Sequence, residues 1–270
     1  NSVSMLDAKR MLNARELEEL RWTVDEYIKY GRENALSQRW VKQLENASAR
    51  VHITRLEALQ LKMQQHIEAL YGGQTDAVDA MIRDAYRDTF WHGAYEIQHG
   101  TGVGWQLEPI SNSRIESIIK RPWTADGRTF SDRIWTNKQQ LLNTLETKLV
   151  QAMVRGEGAS AFIDDLAQEM GVMRNRAEAL AYTEAAYFSS VAQGDCYKEL
   201  HVKRYRVVAT LDHKTSKICR EMDGKVFPES ERKPGVTAYP FHTRCRSTDV
   251  PHYDDMWGVR AARGADGKTY

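Results

Sequence analysis

Apolar residues in the first hundred positions recur at intervals of three and four, the spacing that places side chains on one face of a helix. This spacing predicts two long amphipathic helices, with a break near Tyr30-Gly31 and a stop at Gly72-Gly73. A third helix is predicted over about 75–98, before a run of glycines. The three stripes are Leu17, Leu20, Val24 and Ile28; Leu56, Leu59, Met63, Ile67 and Leu70; and Ala77, Met81, Ala85 and Thr89.

The second half of the chain changes from a helical pattern to a strand pattern. Residues 110–135 are irregular and carry a turn signal at Asp126-Gly127, which predicts a boundary. Helical spacing then returns through Leu141, Leu145, Leu149 and Met153, with predicted stops at Gly156 and Gly171 and a last helix over about 174–195. From 205 to 210, β-branched and aromatic residues predict a strand. Its predicted short partners are 225–227 and 247–250.

These patterns together predict an α+β protein. We expect an elongated helical N-terminal part, followed by a compact module of helices packed on a small antiparallel sheet. The chain begins with Asn and has no apolar signal core, so we expect it to be a fragment of a longer protein. The predicted domains are a helical region over 1–110, a linker over 111–137, the compact module over 138–252 and a tail over 253–270.

The composition excludes several classes of protein. The 270 residues carry 38 basic and 37 acidic side chains, so no net charge of the whole chain attracts it to nucleic acid or to an anionic membrane. Hydrophobic residues make up 41% of the sequence but form only short runs, so neither wholesale disorder nor a membrane span is expected. The cysteines, Cys196, Cys219 and Cys245, are too few for a disulfide framework, which favours a reducing compartment.

Charge is distributed unevenly between the two ends of the chain. Residues 1–108 hold 13 basic and 16 acidic side chains, whereas residues 198–246 hold 12 basic and 6 acidic ones. The C-terminal module is therefore the predicted site for an anionic partner. The candidates for contacts with DNA phosphates are Lys203, Arg204, Arg206, Lys214, Lys217, Arg244 and Arg246.

The densest cluster of chemically useful residues lies in the segments LDHKTSKICREMDGKVF and YPFHTRCRSTDVP. Cys219, His242 and Cys245 are ligand types that zinc prefers, and the H-x-x-C spacing can place two of them on one turn. The interpretation that we adopt is that both thiols are small buried groups that fix the loops, with His242 hydrogen-bonded nearby, so no metal or cofactor is expected and bound zinc is the alternative. A closed zinc site needs four ligands. Candidates for the fourth, none at a recognisable pair spacing with Cys219, are Asp212, His213 and His252.

A catalytic role for the same residues has less support. A cysteine nucleophile with His242 as its base needs an electropositive setting, which Arg220, Arg244 and Arg246 can supply. However, no oxyanion-hole motif accompanies them. The sequence also lacks a phosphate-binding loop, a dinucleotide fingerprint, a zinc-protease helix motif and a serine-hydrolase elbow. We therefore expect no enzymatic activity.

Several polar residues predict turns. Asp212 and Thr215 are expected to bind backbone amides after the strand, and Asp223-Gly224 predicts a tight turn. The competing interpretation, a catalytic pair of Asp212 and Asp223, has no matching metal pattern. Glu184, on the apolar side of its helix, is expected to form an ion pair with a residue such as Arg176 or Arg206.

Four aromatic residues lie on the predicted N-terminal helices. We expect them to form core or subunit contacts, and the alternative is stacking on DNA bases. They are Trp22, Tyr27, Tyr30 and Trp40.

The two motif-bearing segments, taken in order, resemble the C-terminal domain of the phage Mu F-like head morphogenesis family, the minor head (minor capsid) proteins of tailed bacteriophages. The closest likeness covers roughly 138–252, and the upstream helix with Arg176-Ala177 and Thr183-Glu184 is similar to another family segment. FSDRIW, at 130–135, resembles the branch found in phages of Gram-positive hosts. Many relatives have cysteines where this chain has Ser216 and Ser247. The motif residues are Asp212, Thr215, Cys219, Arg220, Asp223, Gly224, Lys225, Val226, Phe227, Pro240, Phe241, His242, Cys245, Arg246, Ser247 and Thr248.

The resemblance implies a low-copy structural component inside the phage head. Such proteins assemble in the host cytoplasm and associate with the portal protein and the capsid or scaffold interior. Some bind double-stranded DNA and leave the capsid with it. No membrane partner is implied. The residues expected to act as structural braces are Asp212, Thr215, Cys219, Asp223, Gly224, His242, Cys245 and Arg246.

Two alternatives remain open at this point. One is a phage-borne effector or enzyme that carries a Mu F-like domain. The other is a zinc-dependent DNA-binding module.

Overall fold

The structure is a computed structural model, and it describes residues 9–155 and 159–253. Helices predominate in these residues, and a small antiparallel sheet follows them, which confirms the predicted α+β class. No helix in the described ranges is long and apolar enough to cross a bilayer. The helices are α1 (Ala14–Glu33), α2 (Gln38–Ser48), α3 (Arg55–Thr101), α4 (Asn112–Ile119), α5 (Phe130–Arg155), α6 (Ala159–Glu199) and α7 (Lys217–Met222), with a 3-10 turn at Glu229–Glu231; the strands are β1 (Arg204–Val208), β2 (Val226–Pro228) and β3 (Thr248–Pro251).

The described residues divide into two compact units, and their boundaries differ from the predicted domains. The first unit contains the described residues up to Ala77 together with Phe130–Arg176. The second contains Val78–Thr129 together with the described residues from Ala177 onward. The division falls inside α3 and α6, so each of these helices contributes to both units. The predicted linker over 111–137 is wrong as an irregular segment, because it contains α4 and the first turns of α5.

The first unit is built around apolar stripes of α1 and α2. The Asn13 side chain accepts a hydrogen bond from the Glu16 amide at 2.9 Å, and the Glu16 carboxylate accepts one from the Asn13 amide at 2.9 Å. This capping box satisfies two amides at the start of α1. Trp40 is 1% exposed, and its indole donates to Gln65 Oε1 at 2.6 Å. The buried core is Leu20, Val24, Ile28, Leu36, Trp40, Leu44, Ile53 and Ala58.

Helix α3 continues through Gly72-Gly73, so the helix stop predicted there is wrong. Glycine in a helix interior costs about 1 kcal/mol relative to alanine, which tertiary packing can outweigh. A Cβ atom on Gly72 would lie 2.8 Å from Leu36 Cδ2, so the glycine allows the segment after α1 to approach α3 closely. Helix α6 likewise continues through the predicted stop at Gly171. By contrast, α3 ends at Thr101 within the run of glycines, and α5 ends beside the predicted stop at Gly156.

The three strands form an antiparallel sheet in the order β2-β1-β3, which confirms the predicted strand and its two partners. Tyr205 and Val207 are fully buried, whereas the alternate residues Arg204 and Arg206 are partly exposed on the other face. The Tyr205 ring lies 6.4 Å from the ring of Tyr197 on α6. The inner face of the sheet is therefore covered by α6, and the outer face carries two arginines.

A buried ion pair, which no sequence pattern predicted, joins the sheet to α6. The Arg232 guanidinium donates to the Asp249 carboxylate at 2.7 Å and to the Ser190 carbonyl at 3.1 Å. It also lies 4.6 Å from the centroid of the Tyr205 ring. A Cβ atom on Gly194 would lie 2.8 Å from Arg232 Cδ and Nε, so a glycine on α6 makes room for the guanidinium. A buried charge needs such partners, because its desolvation is otherwise uncompensated.

Candidate functional site

Cys219, His242 and Cys245 come together in the second unit. Cys219 Sγ lies 3.1 Å from His242 Nε2 and 3.7 Å from Cys245 Sγ. The three potential ligand atoms lie within 4.8 Å of one another. Both sulfurs are free thiols, and both cysteines are buried. We call these three residues the Cys-His cluster.

Two short segments and one long helix position the cluster. Cys219 lies on α7, whose N-cap is Ser216, and the Ser216 hydroxyl accepts a hydrogen bond from the Cys219 amide at 3.2 Å. Cys245 follows a turn in which its amide donates to the His242 carbonyl at 3.2 Å. The Arg244 amide, in the same turn, donates to Thr183 Oγ1 on α6 at 3.1 Å. The threonine of the Thr183-Glu184 motif thus holds the turn that carries the other two residues of the cluster.

The hydrogen bonds of His242 orient its ring. Nδ1 lies 2.7 Å from the Thr243 carbonyl, which can only accept, so Nδ1 carries a proton. Nε2 lies 2.8 Å from the Ser216 hydroxyl and faces the Cys219 sulfur. When Nδ1 alone is protonated, Nε2 keeps a lone pair, and this lone pair is directed toward Cys219.

The surroundings of Cys219 disfavour a free thiolate. Burial raises the pKa of the Cys219 thiol, while the Ser216 and Ser247 hydroxyls act in the opposite direction. Burial also raises the pKa of Cys196, which lies outside the cluster, to about 12. A nucleophilic cysteine needs a lowered pKa. The raised pKa of the Cys219 thiol therefore does not support the catalytic alternative.

The turn motif residues connect the ends of the strands. The Asp223 carboxylate accepts a hydrogen bond from the Ala209 amide at 2.7 Å. Gly224 has φ +77°, a conformation that favours glycine, and its amide donates to the Val207 carbonyl at 2.9 Å. Asp223-Gly224 therefore ties the end of α7 to β1 and its following residue.

Asp212 and Arg246 join the turn after β1 to the segment before β3. The Arg246 guanidinium makes two contacts of 2.7 Å with the Asp212 carboxylate and holds the pKa of that carboxyl well below its usual range. The Asp212 carboxylate also accepts from the Lys214 amide at 2.8 Å. Thr215 Oγ1 donates to the Thr210 carbonyl at 2.6 Å. These bonds hold two distant segments together beside the Cys-His cluster.

The seven basic residues predicted to contact DNA phosphates form two groups of three, and Lys217 lies apart from both groups. Three of them line a small recess beside the Cys-His cluster, and three lie on β1 or directly before it. Lys217 lies on α7, where its ammonium is 3.7 Å from the Glu221 carboxylate. The recess group is Lys214, Arg244 and Arg246, and the strand group is Lys203, Arg204 and Arg206.

Glu184 is 2% exposed, and its carboxylate accepts a hydrogen bond from the Trp123 indole at 3.0 Å. This partner was not predicted, because Trp123 lies in the segment predicted as a linker. The two arginines predicted for an ion pair with Glu184 have other contacts. Arg176 donates to Gln140 Oε1 at 2.9 Å, and the Arg206 guanidinium lies 3.0 Å from His252 Nδ1.

Comparisons with known proteins cover this whole region. A model of the family described as Phage Mu protein F like protein matches residues 143–250. Minor head protein GP7 of Bacillus phage SPP1 is 24% identical over 235 residues, which cover 81% of this chain and 75% of that protein. An uncharacterized protein of Haemophilus influenzae is 28% identical over 122 residues, 44% of this chain, and the match spans about a quarter (26%) of that protein. No solved structure matches the chain at a comparable level of significance.

The match to the Mu F-like family model over residues 143–250 and the similarity to a phage minor head protein confirm the resemblance seen in the sequence. The matched range contains the Cys-His cluster, the Asp212–Arg246 pair and the Arg232–Asp249 pair. The contacts described above are therefore those of the family segment itself.

Proposed function

We propose that the protein is a minor head component of a tailed bacteriophage, present in few copies inside the head. In this proposal it docks at the portal vertex during assembly and contacts packaged DNA through its C-terminal module. The observation that carries the proposal is the extent of the likeness: the family match spans 143–250, and the similarity to a minor head protein spans 81% of the chain.

A row of exposed aromatic rings on α3 supports docking to a protein surface. Trp91 and Tyr95 are 43% and 61% exposed, and with His99 they recur every four residues on one side of the helix. The Tyr95 and His99 rings stack with centroids 5.7 Å apart. We call these three residues the α3 aromatic row. Large aromatic side chains are enriched in protein interfaces, so this row is our proposed contact with the portal or capsid interior.

The four aromatic residues singled out in the N-terminal sequence divide between core and surface. Trp40 is in the core and Tyr27 packs against it, whereas Trp22 and Tyr30 are exposed. Glu18 lies four residues before Trp22 and Glu26 lies four residues after it, so both are its neighbours on the helix surface. Trp22 therefore lies among solvated charges, and we use it below as a control for the α3 aromatic row.

Contact with DNA is proposed for the recess group and the strand group of basic residues. Lys214 and Arg244 are exposed beside the recess, whereas the Arg246 guanidinium is held by Asp212. Side chains of this kind contact phosphates without reading sequence. Each phosphate contact releases counterions, so the affinity falls steeply as salt rises.

The docking proposal is tested by electron microscopy of phage heads assembled with and without the protein. Density beside the portal that depends on the protein is the expected result. The double variant Trp91→Ala/Tyr95→Ala should lose incorporation into heads, whereas Trp22→Ala should be incorporated normally. An unaltered vertex in heads that lack the protein, together with normal infectivity, would contradict the proposal.

The DNA proposal is tested by fluorescence anisotropy with a duplex of arbitrary sequence between 50 and 300 mM salt. The double variant Lys214→Gln/Arg244→Gln should bind more weakly and reduce the slope of log affinity against log salt by about 2, because each lost phosphate contact removes about 0.9. Arg15→Gln/Lys29→Gln removes the same charge from exposed positions of α1 and should change neither quantity. Absent or salt-independent binding would overturn this part of the proposal.

A further inference from the structure

The geometry points to a Zn²⁺ site in the C-terminal module, with Cys219 Sγ, Cys245 Sγ and His242 Nε2 as its three protein ligands. Water or the Ser216 hydroxyl occupies the fourth position. This inference does not depend on docking at the portal or on DNA binding, because it rests on the arrangement of the Cys-His cluster alone.

The distances within the cluster fit tetrahedral coordination. Zinc binds sulfur at about 2.3 Å and imidazole nitrogen at about 2.0–2.1 Å, so tetrahedral angles place two sulfurs about 3.8 Å apart and a sulfur and a nitrogen about 3.6 Å apart. The two sulfurs are 3.7 Å apart, and Cys219 Sγ is 3.1 Å from His242 Nε2. An ion at the centre of the cluster therefore requires a movement of only about half an ångström between Cys219 and His242.

The ring of His242 is oriented as a zinc ligand requires. Metal-binding histidines usually donate their other ring N–H to a carbonyl or carboxylate, which fixes the tautomer and the direction of the ring. The Nδ1 atom lies 2.7 Å from the Thr243 carbonyl, and Nε2 faces Cys219. The outer contact that supports a zinc-bound histidine is thus already made by the backbone.

The charges of the site also balance. Zn²⁺ displaces the thiol protons of Cys219 and Cys245, so two protons are released and two thiolates neutralise the ion. The ion itself therefore supplies the positive charge that stabilises the two buried thiolates.

The surroundings of the cluster leave room for a fourth ligand but little more. The recess beside it has an open volume of about 30 Å³ and is lined by Ser216 and Ser247 as well as by Cys219 and His242. This is enough for about one water molecule. Because its ligands come from α7 and from the segment before β3, the ion would brace these two segments against each other.

The first experiment measures metal in the purified 270-residue chain. The protein is kept reduced, stripped of metal, reloaded with Zn²⁺ and analysed by mass spectrometry, and one zinc per chain is expected. Replacement by Co²⁺ should give thiolate charge-transfer bands and the visible bands of tetrahedral cobalt. Less than stoichiometric zinc together with an octahedral cobalt spectrum would overturn the inference without recourse to any variant.

Three variants then assign the ligands. Cys245→Ser should lose stoichiometric zinc, whereas Cys196→Ala, which removes a buried thiol outside the cluster, should retain it. Ser216→Cys places a fourth sulfur where a hydroxyl lies 2.8 Å from His242 Nε2. Since even outer partners of a metal site change affinity by about 10–100-fold, this added ligand should tighten zinc binding at least about tenfold. Unchanged affinity in both Cys245→Ser and Ser216→Cys would place the metal elsewhere.

Discussion

The α1–α2 core of the first unit and the sheet module of the second are stabilised in different ways. The first buries a continuous apolar cluster around Trp40, and its exposed ion pairs lie at the rim, as between Arg15 and Glu19. The sheet module buries charge in its interior, with Arg232 and Asp249 side chains 7% and 0% exposed. The stability of the first region depends on the apolar area that it buries and on how well its side chains fill the core. The stability of the second depends on particular ion-pair and hydrogen-bond partners.

This difference has consequences for tolerance to substitution. An apolar core accepts many side chains of similar volume, usually at a cost below about 1.5 kcal/mol. A buried polar network does not, because removing one member leaves the other without a partner in a medium of low polarity. The family motifs lie in the second kind of region, where residue identity matters at each position.

The largest expected effect breaks the buried ion pair. Asp249→Ala should lower the free energy of unfolding by about 3–5 kcal/mol, because it leaves the Arg232 charge buried without its closest partner. The measurement is urea denaturation followed by circular dichroism. Adding Arg232→Met to Asp249→Ala should recover part of the loss, since it removes the uncompensated charge.

The matched control for this prediction is an exposed pair. Arg15→Ala disrupts the contact with Glu19, whose side chain is 66% exposed, and should change stability by at most about 0.5 kcal/mol. A loss in Asp249→Ala no greater than that in Arg15→Ala would show that the two regions are not stabilised differently.

A smaller effect concerns Glu229, the second carboxylate near Arg232. Its contact with Arg232 is long, 3.4 Å, and its Oε1 has no hydrogen-bond partner among the described residues. Burial raises the pKa of Glu229 to about 7, above the value of about 4.3 in an unfolded chain. Because the folded pKa is the higher one, the group contributes stability below about pH 4 that is lost as pH rises through 7.

Glu229→Gln should therefore remove this pH dependence. At pH 8 the variant should be more stable than the natural chain by about 2 kcal/mol after allowance for solvent screening, and at pH 5 the difference should be much smaller. Urea unfolding at a series of pH values measures both. Glu231→Gln, at an exposed neighbouring position, should show no such trend. A loss of stability at pH 8 would mean that ionised Glu229 stabilises Arg232.

The smallest expected effect tests the helical unit at its paired glycines. A Cβ atom on Gly73 would meet no atom within 4 Å, so Gly73→Ala should stabilise the protein by about 0.5–1 kcal/mol through helix propensity. Gly72→Ala should gain less, because its Cβ would lie 2.8 Å from Leu36 Cδ2. Thermal unfolding compares the two. Destabilisation by Gly73→Ala would contradict a helix that continues through this pair.

Sequence patterns predicted the elements better than they predicted where those elements end. The stripes of α1 and α5 and the three strands agree with their periodicity, but the predicted stripes of α3 are wrong in part. Leu59 and Leu70 are exposed, and the buried face of the later half carries Val78, Ile82, Tyr86 and Phe90 in place of Ala77, Met81, Ala85 and Thr89. The stops at Gly72-Gly73 and Gly171 do not occur. A glycine is a local signal for a helix end, and packing over a long helix outweighs it. The irregular pattern over 111–137 likewise concealed α4, whose eight residues are too few to show a clear period.

The partners of the buried charges had almost no sequence signal. Arg232 lies in the turn-rich insert, and Gly194 and Asp249 are distant from it in the chain. One signal was present in β3, where Asp249 occupies the buried position between exposed Thr248 and Val250. A carboxylate that faces inward requires a buried donor, although this requirement does not identify Arg232.

Periodicity and residue type, which are local properties, were enough to establish the α+β class, the buried faces of α1 and α5 and the chemical types in the family motifs. The meeting of Cys219 with His242 and Cys245 was decided only by the tertiary structure, because it requires a loop of more than twenty residues to close and a turn to be held by Thr183 on α6. Whether two thiols and an imidazole are separate braces or one set of ligands depends on that closure, which no local pattern encodes.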